Sequence, residues 1–150
     1  MLIAEQYAEG FTPQTPLKGW SMTKSVTQAL VGILERDGKL DINKPAEVPQ
    51  WYEQENDPRQ EVTLDQLLRM SSGLEFWEFY FWLTDAVKML FILPDASGYT
   101  SSLPQEFEPD TKWSYSSGTT NIISGIVRRA IADAAYWTFP QDSLFNQIGM

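Results

Sequence analysis

Residues 19–40, GWSMTKSVTQALVGILERDGKL, carry the pattern that decides how the chain folds. Five apolar residues recur in this stretch at helical spacing: Val26, Ala29, Leu30, Ile33 and Leu34. A stripe of this kind predicts an amphipathic helix that packs one face against a core. Gly38 is a typical residue at which such a helix ends. Near the start of the helix, Ser21 and Lys24 are three residues apart.

Three further helices are predicted after this one. Thr63 and Gln66 form a T-x-x-Q capping box, which predicts a short helix that ends at Gly73. Residues 84–92 have a helical pattern that stops before a proline. From Thr119 onward a second long helix is indicated by the apolar residues on one face: Ile122, Ile123, Ile126, Val127, Ala130 and Ile131.

Three segments are predicted to lie outside helices. Residues 2–7 mix apolar and polar positions in the manner of a strand. Residues 41–61 carry several prolines and many charges, which predicts a surface loop. The aromatic run of residues 76–82 is interpreted as core or interface rather than as the lining of a substrate pocket.

Composition excludes several classes of function. The 150 residues fit one folding unit, and the net charge of -9 disfavours nucleic acid and anionic membranes as partners. The chain has no His and no Cys, so it contains no Ser-His-Asp triad, no disulfide and none of the usual zinc sites. Proton transfer must use Lys, Tyr, Asp or Glu, and no metal or other cofactor is implied. Neither a membrane-spanning run nor a signal peptide is expected, and the compartment stays open.

Ser21 and Lys24 are candidates for a nucleophile and its base. Nearly one helical turn apart, their side chains lie on the same side and can form a hydrogen bond. The unpaired N–H groups of a helix start would stabilise the oxyanion formed when Ser21 attacks a carbonyl. The alternative is a capping Ser with a solvated Lys, because roughly 0.5 S-x-x-K matches are expected by chance in a chain of this composition. Spacing alone favours that alternative.

The run TKWSYSSGTTN supplies a second element, because Tyr115 and Ser117 form a Y-x-S just before the last long helix. Tyr115 is suited to relay protons together with Lys24, and Ser117 to donate a hydrogen bond to a substrate or to Lys24. The pattern is common, since Tyr99 and Ser101 form another Y-x-S. The alternative for Tyr115 is an amphipathic tyrosine at a turn.

Three runs follow one another along the chain: GWSMTKSVTQALVGILERDGKLD, VTLDQLLRMSSGLEF and WSYSSGTTNIISGIVRRA. With them, nearly the whole chain closely resembles the serine beta-lactamase-related family, in particular the class C beta-lactamase-like group with its penicillin-binding esterases and 6-aminohexanoate-dimer hydrolases. The resemblance implies an α+β fold with a helical domain and an antiparallel sheet. It also implies a hydrolase without a cofactor that acts on a small-molecule ester, amide or lactam.

The same resemblance assigns roles to the candidate residues. Ser21 is implied to be the acylated nucleophile and Lys24 its partner base. Tyr115 is implied to work with Lys24 in proton transfer. Ser117 matches a substrate-binding position where many relatives carry Asn. Tyr99 lies outside any matching context.

The chain also departs from the family's pattern. Nothing after Tyr115 matches the third motif, a Lys-Thr-Gly or His-x-Gly triplet on a strand that supplies an oxyanion-hole N–H. Asp110 stands where relatives commonly carry a Gly after the Pro. We therefore expect residues 1–150 to form one partial domain, mostly the helical part with at most one or two N-terminal strands. Such a domain is expected to be a weak catalyst and to self-associate through unpaired strand edges.

Two other functions stay open at this point. The chain could be a non-catalytic module that binds a ligand or a protein partner through an exposed aromatic surface. Within the enzyme class, a true beta-lactamase or a D-alanyl-D-alanine peptidase is not distinguished from an esterase or amidase, because the residues that choose the substrate lie largely outside this chain.

Two pairs of polar residues receive structural interpretations. Glu75 and Glu78 have no recognisable partner ligands, so they are predicted to belong to a solvated face. Ser71 and Ser72 precede a glycine and are predicted to cap a helix rather than to act as nucleophiles.

Overall fold

The computed structural model describes residues 3–131 and 133–149, and its regular structure there is helical. The α-helices are α1 (Thr23–Arg36), α2 (Leu64–Leu68), α3 (Asp85–Val87), α4 (Ala96–Ser102), α5 (Ser117–Ile131), α6 (Asp133–Tyr136) and α7 (Asn146–Ile148). Short 3₁₀ helices cover Trp20–Met22, Pro49–Tyr52 and Pro58–Glu61, and π-helical turns cover Lys88–Ile92 and Gln141–Phe145. Isolated antiparallel bridges join Pro45 to Thr63 and Leu74 to Gln105.

The strand predicted near the N-terminus is wrong for the residues that the structure describes. Residues 3–7 form no strand, Leu2 lies outside the described residues, and Ile3 is 87% exposed. A strand is stable only when its backbone groups pair with those of a neighbour. No strand occurs anywhere in residues 3–131 and 133–149. The antiparallel sheet implied by the resemblance is therefore not found in this part of the chain.

Helix α1 confirms the amphipathic helix predicted from residues 19–40. Its buried side chains are Leu30, Val31 and Leu34. Gly38 follows the helix with φ +71, a left-handed conformation that costs glycine little. Its N–H donates to the Glu35 carbonyl at 2.9 Å, and the Lys39 N–H donates to the Leu34 carbonyl at 2.8 Å. These two bonds make a Schellman motif, the expected end for such a helix.

Helix α5 lies at the centre of the core and packs against α1, α2 and α4. The long helix predicted from Thr119 is confirmed and begins two residues earlier, at Ser117. The core consists of Val31, Leu34, Ala46, Val48, Trp51, Val62, Leu64, Leu67, Ile122, Ile123, Ile126 and Val127. Burial of each large apolar side chain contributes about 1.5–3 kcal/mol before chain entropy is counted.

A third predicted helix, over residues 84–92, is confirmed as α3 and the π-helical turn that continues it. No helix in the described part of the chain is long and apolar enough to cross a membrane.

The surface loop predicted for residues 41–61 is confirmed for most of the segment, which is exposed, and is wrong where side chains enter the core. Ala46, Val48 and Trp51 are buried in this segment, and the Trp51 side chain is completely enclosed. Its indole N–H donates to the Ser101 carbonyl at 2.9 Å, which satisfies the one polar atom of the buried ring. Two of the prolines open 3₁₀ helices, where a missing N–H is harmless. The segment therefore contributes the side chains of Ala46, Val48 and Trp51 to the core, while most of its residues lie at the surface.

Helix α2 has the predicted capping box but ends earlier than predicted. Thr63 Oγ1 accepts from the Gln66 N–H at 3.2 Å, and Gln66 Oε1 accepts from the Thr63 N–H at 2.9 Å. The helix ends before Met70, whose φ of +57 is left-handed. Gly73 serves a different purpose, because a Cβ at this position would lie 1.9 Å from the Phe107 carbonyl oxygen. A side chain is excluded there by a close approach of two chain segments.

Asp110 holds a turn beside α2. Its φ of +63 lies in the left-handed region that glycine adopts freely, at the position where the resembling family commonly has Gly. The carboxylate accepts from Gln66 Nε2 at 2.8 Å, from Arg69 Nη2 at 2.8 Å and from Ser71 Oγ at 3.0 Å. Hydrogen bonds from Gln66, Arg69 and Ser71, in that order, lower the pKa of Asp110. Ser71 caps α2 as predicted, through its N–H, which donates to the Gln66 carbonyl at 3.0 Å, and its hydroxyl also fixes this turn.

Candidate active site

Ser21 lies at the entrance to α1, in the 3₁₀ turn Trp20–Met22, and its side chain is exposed. Trp20, the residue before it, has φ +44, a left-handed conformation that bulky residues rarely adopt. Backbone strain of this kind costs on the order of 1–3 kcal/mol and clusters at functional sites. The turn presents the Ser21 hydroxyl to solvent directly ahead of the first turn of α1.

Lys24 connects Ser21 to the start of α5. Its Nζ lies 3.2 Å from Ser21 Oγ, as the spacing predicts, and 3.0 Å from Ser117 Oγ, which is 93 residues further along the chain. The same Nζ lies 4.8 Å from the centre of the Tyr115 ring. The structure therefore brings together all four residues singled out in the sequence.

The Tyr115 phenol is tuned by its neighbours. Hydrogen bonding from Lys24, and then from Ser21, lowers the pKa of Tyr115 from its ordinary value. The lysine charge adds to the effect, while partial burial and the Glu78 carboxylate oppose it. The tyrosine is 37% exposed, so it contacts both the site and the solvent. A phenol that loses its proton more easily beside a lysine is suited to proton transfer.

Ser117 is the first residue of α5 and is buried. The neighbouring Ser116 caps the helix, since its Oγ accepts from the Thr119 N–H at 3.0 Å. With the cap supplied by Ser116, the Ser117 hydroxyl is free to serve the site. Gly118 follows, and a Cβ there would lie 2.5 Å from Phe76 Cδ2. The absence of that Cβ lets the aromatic segment approach the start of α5.

Glu78 is a member of the site that the sequence interpretation missed. Its Oε2 accepts from the Ser117 N–H at 2.6 Å, its Oε1 accepts from the Ser117 hydroxyl at 2.6 Å, and the Tyr80 hydroxyl donates to Oε1 at 2.8 Å. The prediction that this carboxylate belongs to a solvated face is wrong. Its partner Ser117 lies 39 residues away, and no local pattern distinguishes Glu78 from Glu75.

The aromatic run beside Glu78 is mostly at the surface. Its exposed members are Trp77, Phe79, Tyr80, Phe81 and Trp82. Of the two predictions for this run, core is wrong for these five residues and interface stays a prediction, whereas Phe76 lies close to Gly118. Tyr80 reaches the site through Glu78, and its hydrogen bond to that carboxylate raises the pKa of Tyr80.

The second Y-x-S in the sequence has a structural role. The Tyr99 hydroxyl donates to the Asp85 carboxylate, and burial followed by this hydrogen bond raises the pKa of Tyr99. Ser101 Oγ donates to the Ser97 carbonyl at 2.7 Å within α4. Neither residue joins the cluster around Lys24, as the lack of matching context predicts.

The cluster combines an exposed hydroxyl, an amine within hydrogen-bonding distance of it, and a phenol with a lowered pKa. These are the groups that nucleophilic attack on a carbonyl with assisted proton transfer requires. Residues 3–131 and 133–149 contain no group of three or more Asp, Glu, His or Cys side chains that could hold a metal ion. The side chains of Ser21, Lys24 and Tyr115 are suited to acid–base and nucleophilic chemistry.

Comparison with a family model shows to which family the chain belongs. The family model described as Beta-lactamase matches residues 3–150. The chain belongs to the beta-lactamase family. The resemblance inferred from the three runs is thereby confirmed, and the family is one of serine hydrolases.

A solved structure named "Putative 6-aminohexanoate-dimer hydrolase from Bacillus anthracis" is similar to this beta-lactamase-family chain with a TM-score of 0.65 and 21% identity. The match covers 87% of this chain and 37% of that protein. At this identity the likeness shows a shared fold, which supports the α+β assignment for the family. The chain spans well under half of that neighbour. No curated protein matches this sequence.

Proposed function

We propose that this chain carries the acylation residues of a serine hydrolase that cleaves a small-molecule ester or amide through an acyl-enzyme on Ser21. The observation that carries the proposal is Lys24 Nζ at 3.2 Å from Ser21 Oγ, at the entrance to a helix in a member of a serine hydrolase family. Membership alone does not assign roles. The contact adds a base within reach of the hydroxyl proton.

The proposed reaction has two halves. Ser21 Oγ forms a bond to the substrate carbonyl carbon while its proton passes to the Lys24–Tyr115 pair. The oxyanion intermediate collapses, the bond to the alcohol or amine breaks, and the leaving group takes up the proton. Water then attacks the acyl carbon, and Ser21 recovers a proton as the acid departs. Proton transfer by a positioned side chain contributes about 10²–10⁴-fold to such rates.

The Ser21 N–H is assigned as a hydrogen-bond donor to the oxyanion, because N–H groups in the first turn of a helix lack intrahelical acceptors. The third family motif, expected to supply a second donor, has no match after Tyr115 in this sequence. Loss of one oxyanion donor typically costs about 10²–10³ in rate. We therefore propose that this chain forms the acyl-enzyme slowly when it acts alone.

The test is the intact mass of the protein after incubation with a fluorophosphonate, which transfers its phosphonyl group to an activated serine and releases fluoride. The parent chain is expected to gain one adduct, and Ser21→Ala none. Ser25→Ala is the matched control, because Ser25 is an exposed serine next to Lys24 and is expected to leave labelling unchanged. Circular dichroism confirms that each variant is folded. A folded parent without an adduct overturns the proposal.

A second function is favoured by one observation. Trp77, Phe79, Phe81 and Trp82 are between 57% and 85% exposed on one short segment, an unusual density of aromatic surface. The alternative is a non-catalytic module that binds a ligand or partner through this segment. It predicts a folded parent without an adduct and binding that Ser21→Ala leaves intact.

A further inference from the structure

Glu78 takes no part in the proposed acylation, yet both of its carboxylate oxygens accept hydrogen bonds from Ser117 at 2.6 Å. We propose that Glu78 is a positioning residue that sets the direction of the hydrogen bond between Ser117 and Lys24. This inference rests on the proposed function of Ser21 and Lys24. It adds a residue to the site without giving it contact with the substrate.

The direction follows from what each group is able to donate. A carboxylate only accepts hydrogen bonds, so the Ser117 hydroxyl proton must point to Glu78. Bonds of 2.6 Å are typical of an ionised acceptor. Ser117 Oγ then has only lone pairs left for Lys24, whose Nζ lies 3.0 Å away and must donate to it. Ser117 is thereby fixed as an acceptor toward the lysine.

This direction matters for the base. A neutral lysine amine has two N–H groups and one lone pair, and only the lone pair takes a proton from Ser21. If the Ser117 hydroxyl donated to Lys24, it would occupy that lone pair. With Glu78 holding the hydroxyl proton, Lys24 turns an N–H toward Ser117 and keeps its lone pair for Ser21 Oγ at 3.2 Å.

The carboxylate is itself held in place from three sides. Its charge lies at the N-terminal end of α5, where the helix dipole and the Ser117 N–H favour an anion. The Tyr80 hydroxyl donates to Oε1 at 2.8 Å. Phe76, two residues before Glu78 in the chain, packs against Gly118. A side chain fixed by this many contacts loses little further freedom during the reaction.

The decisive variant is Glu78→Gln. Glutamine keeps the size of the side chain, and its Oε1 still accepts from the Ser117 N–H. Its Nε2, however, donates to Ser117 Oγ where Glu78 accepted. The Ser117 hydroxyl is then released to donate to Lys24. Glu75→Gln is the matched control, because it removes an equal charge three residues earlier on the same segment. Glu78→Asp retains an acceptor-only carboxylate.

The time course of fluorophosphonate labelling gives kinact and KI for each variant. Glu78→Gln is expected to lower kinact by about tenfold or more with KI unchanged, while Glu75→Gln matches the parent. Glu78→Asp is expected to recover part of the rate. Melting temperatures of the three variants separate this effect from a loss of fold. If Glu78→Gln does not fold, the kinact of Glu78→Asp is compared with that of the parent instead.

A double-mutant cycle with Ser117→Ala then tests the route of action. Since Glu78 acts through the Ser117 hydroxyl, Glu78→Gln in the Ser117→Ala background is expected to slow labelling no further. A Glu78→Gln rate equal to that of the parent, or independent effects of the two substitutions, overturns the inference. A folded parent that gains no adduct overturns the proposed function instead.

Discussion

At the scale of single residues, Tyr115 is the group whose behaviour is easiest to measure. Lys24 and Ser21 lower its pKa, so Tyr115 is expected to ionise below the ordinary tyrosine value of about 10. In a titration followed by ultraviolet absorbance, one tyrosine should therefore lose its proton at lower pH than the others. Tyr115→Phe should remove that transition and slow labelling of Ser21 by about 10² or more.

Lys24→Met serves as the control for this prediction. It removes the hydrogen bond that does most to lower the pKa of Tyr115, so the Tyr115 transition should move up in pH rather than vanish. Tyr52→Phe is a matched control, because Tyr52 is an exposed tyrosine on the 3₁₀ helix Pro49–Tyr52. This variant should change neither the labelling of Ser21 nor the Tyr115 transition. A titration in Tyr115→Phe that equals that of the parent would contradict the assignment.

The sequence predicted the residues of the site that are close to one another in the chain. The proximity of Ser21 and Lys24 follows from helical spacing. Their catalytic interpretation, like that of Tyr115 and Ser117, depends on the family resemblance. Glu78 could not be found in this way, because its hydrogen bonds to Ser117 span 39 residues. In sequence Glu78 looks like Glu75, and only the packing of the segment separates them.

At the scale of elements, the approach of the aromatic segment to α5 depends on Gly118. A Cβ there would lie 2.5 Å from Phe76 Cδ2 and 3.0 Å from Thr100 Cγ2, so Gly118→Ala must displace the Phe76 ring. We expect a loss of about 1–3 kcal/mol in the free energy of unfolding, measured by urea denaturation. Labelling of Ser21 should slow as well, since Glu78 lies two residues beyond Phe76.

Gly32→Ala is the matched control on the other long helix. Gly32 is exposed in the middle of α1, and a Cβ there meets nothing within 4 Å. Alanine is the better helix former, so this variant should gain up to about 1 kcal/mol. Equal effects of the two substitutions would show that the space around Gly118 does not set the position of the segment.

Elements were predicted well where their signal is local. The capping box of α2 and the stripe of α1 were both found, because each depends on residues within a few positions of one another. The burial of Trp51 is not predicted, because the prolines and charges around it indicate a loop, yet its side chain is completely buried. Its burial depends on α4, which supplies the Ser101 carbonyl 50 residues away.

At the scale of the whole molecule, the candidate site exists only when the core is formed. Lys24 belongs to α1 and Ser117 to α5, and the apolar faces of these two helices meet in one core cluster. The packing that buries Val31, Leu34, Ile122 and Ile126 also sets the 3.0 Å between Lys24 Nζ and Ser117 Oγ. Substitutions that loosen the core should therefore reduce labelling of Ser21 together with stability.

Stability against acid should depend on a partly buried ion pair between Asp57 and Arg59, whose guanidinium also reaches the end of α4. Arg59 Nη2 lies 2.6 Å from Asp57 Oδ2, their side chains are 16% and 5% exposed, and Arg59 also donates to the Ser101 and Leu103 carbonyls. Hydrogen bonding from Arg59 lowers the pKa of Asp57 below 3.8. The pair is therefore fully effective above that pH, and its contribution is lost as pH falls through the lowered pKa.

Asp57→Asn tests this contribution, because asparagine still caps the 3₁₀ helix but carries no charge. At pH 7 the variant should be less stable than the parent by about 1.5–3 kcal/mol in urea denaturation, the usual value of a hydrogen bond to a charged group. The two proteins should converge in stability as pH falls through the lowered pKa of Asp57, since the parent then loses this charge as well. Asp37→Asn breaks the exposed pair with Arg36 and should have little effect at either pH, because solvent screens surface pairs. A gap between Asp57→Asn and the parent that stays constant from pH 7 to pH 3 would contradict a stabilising role for the Asp57 charge.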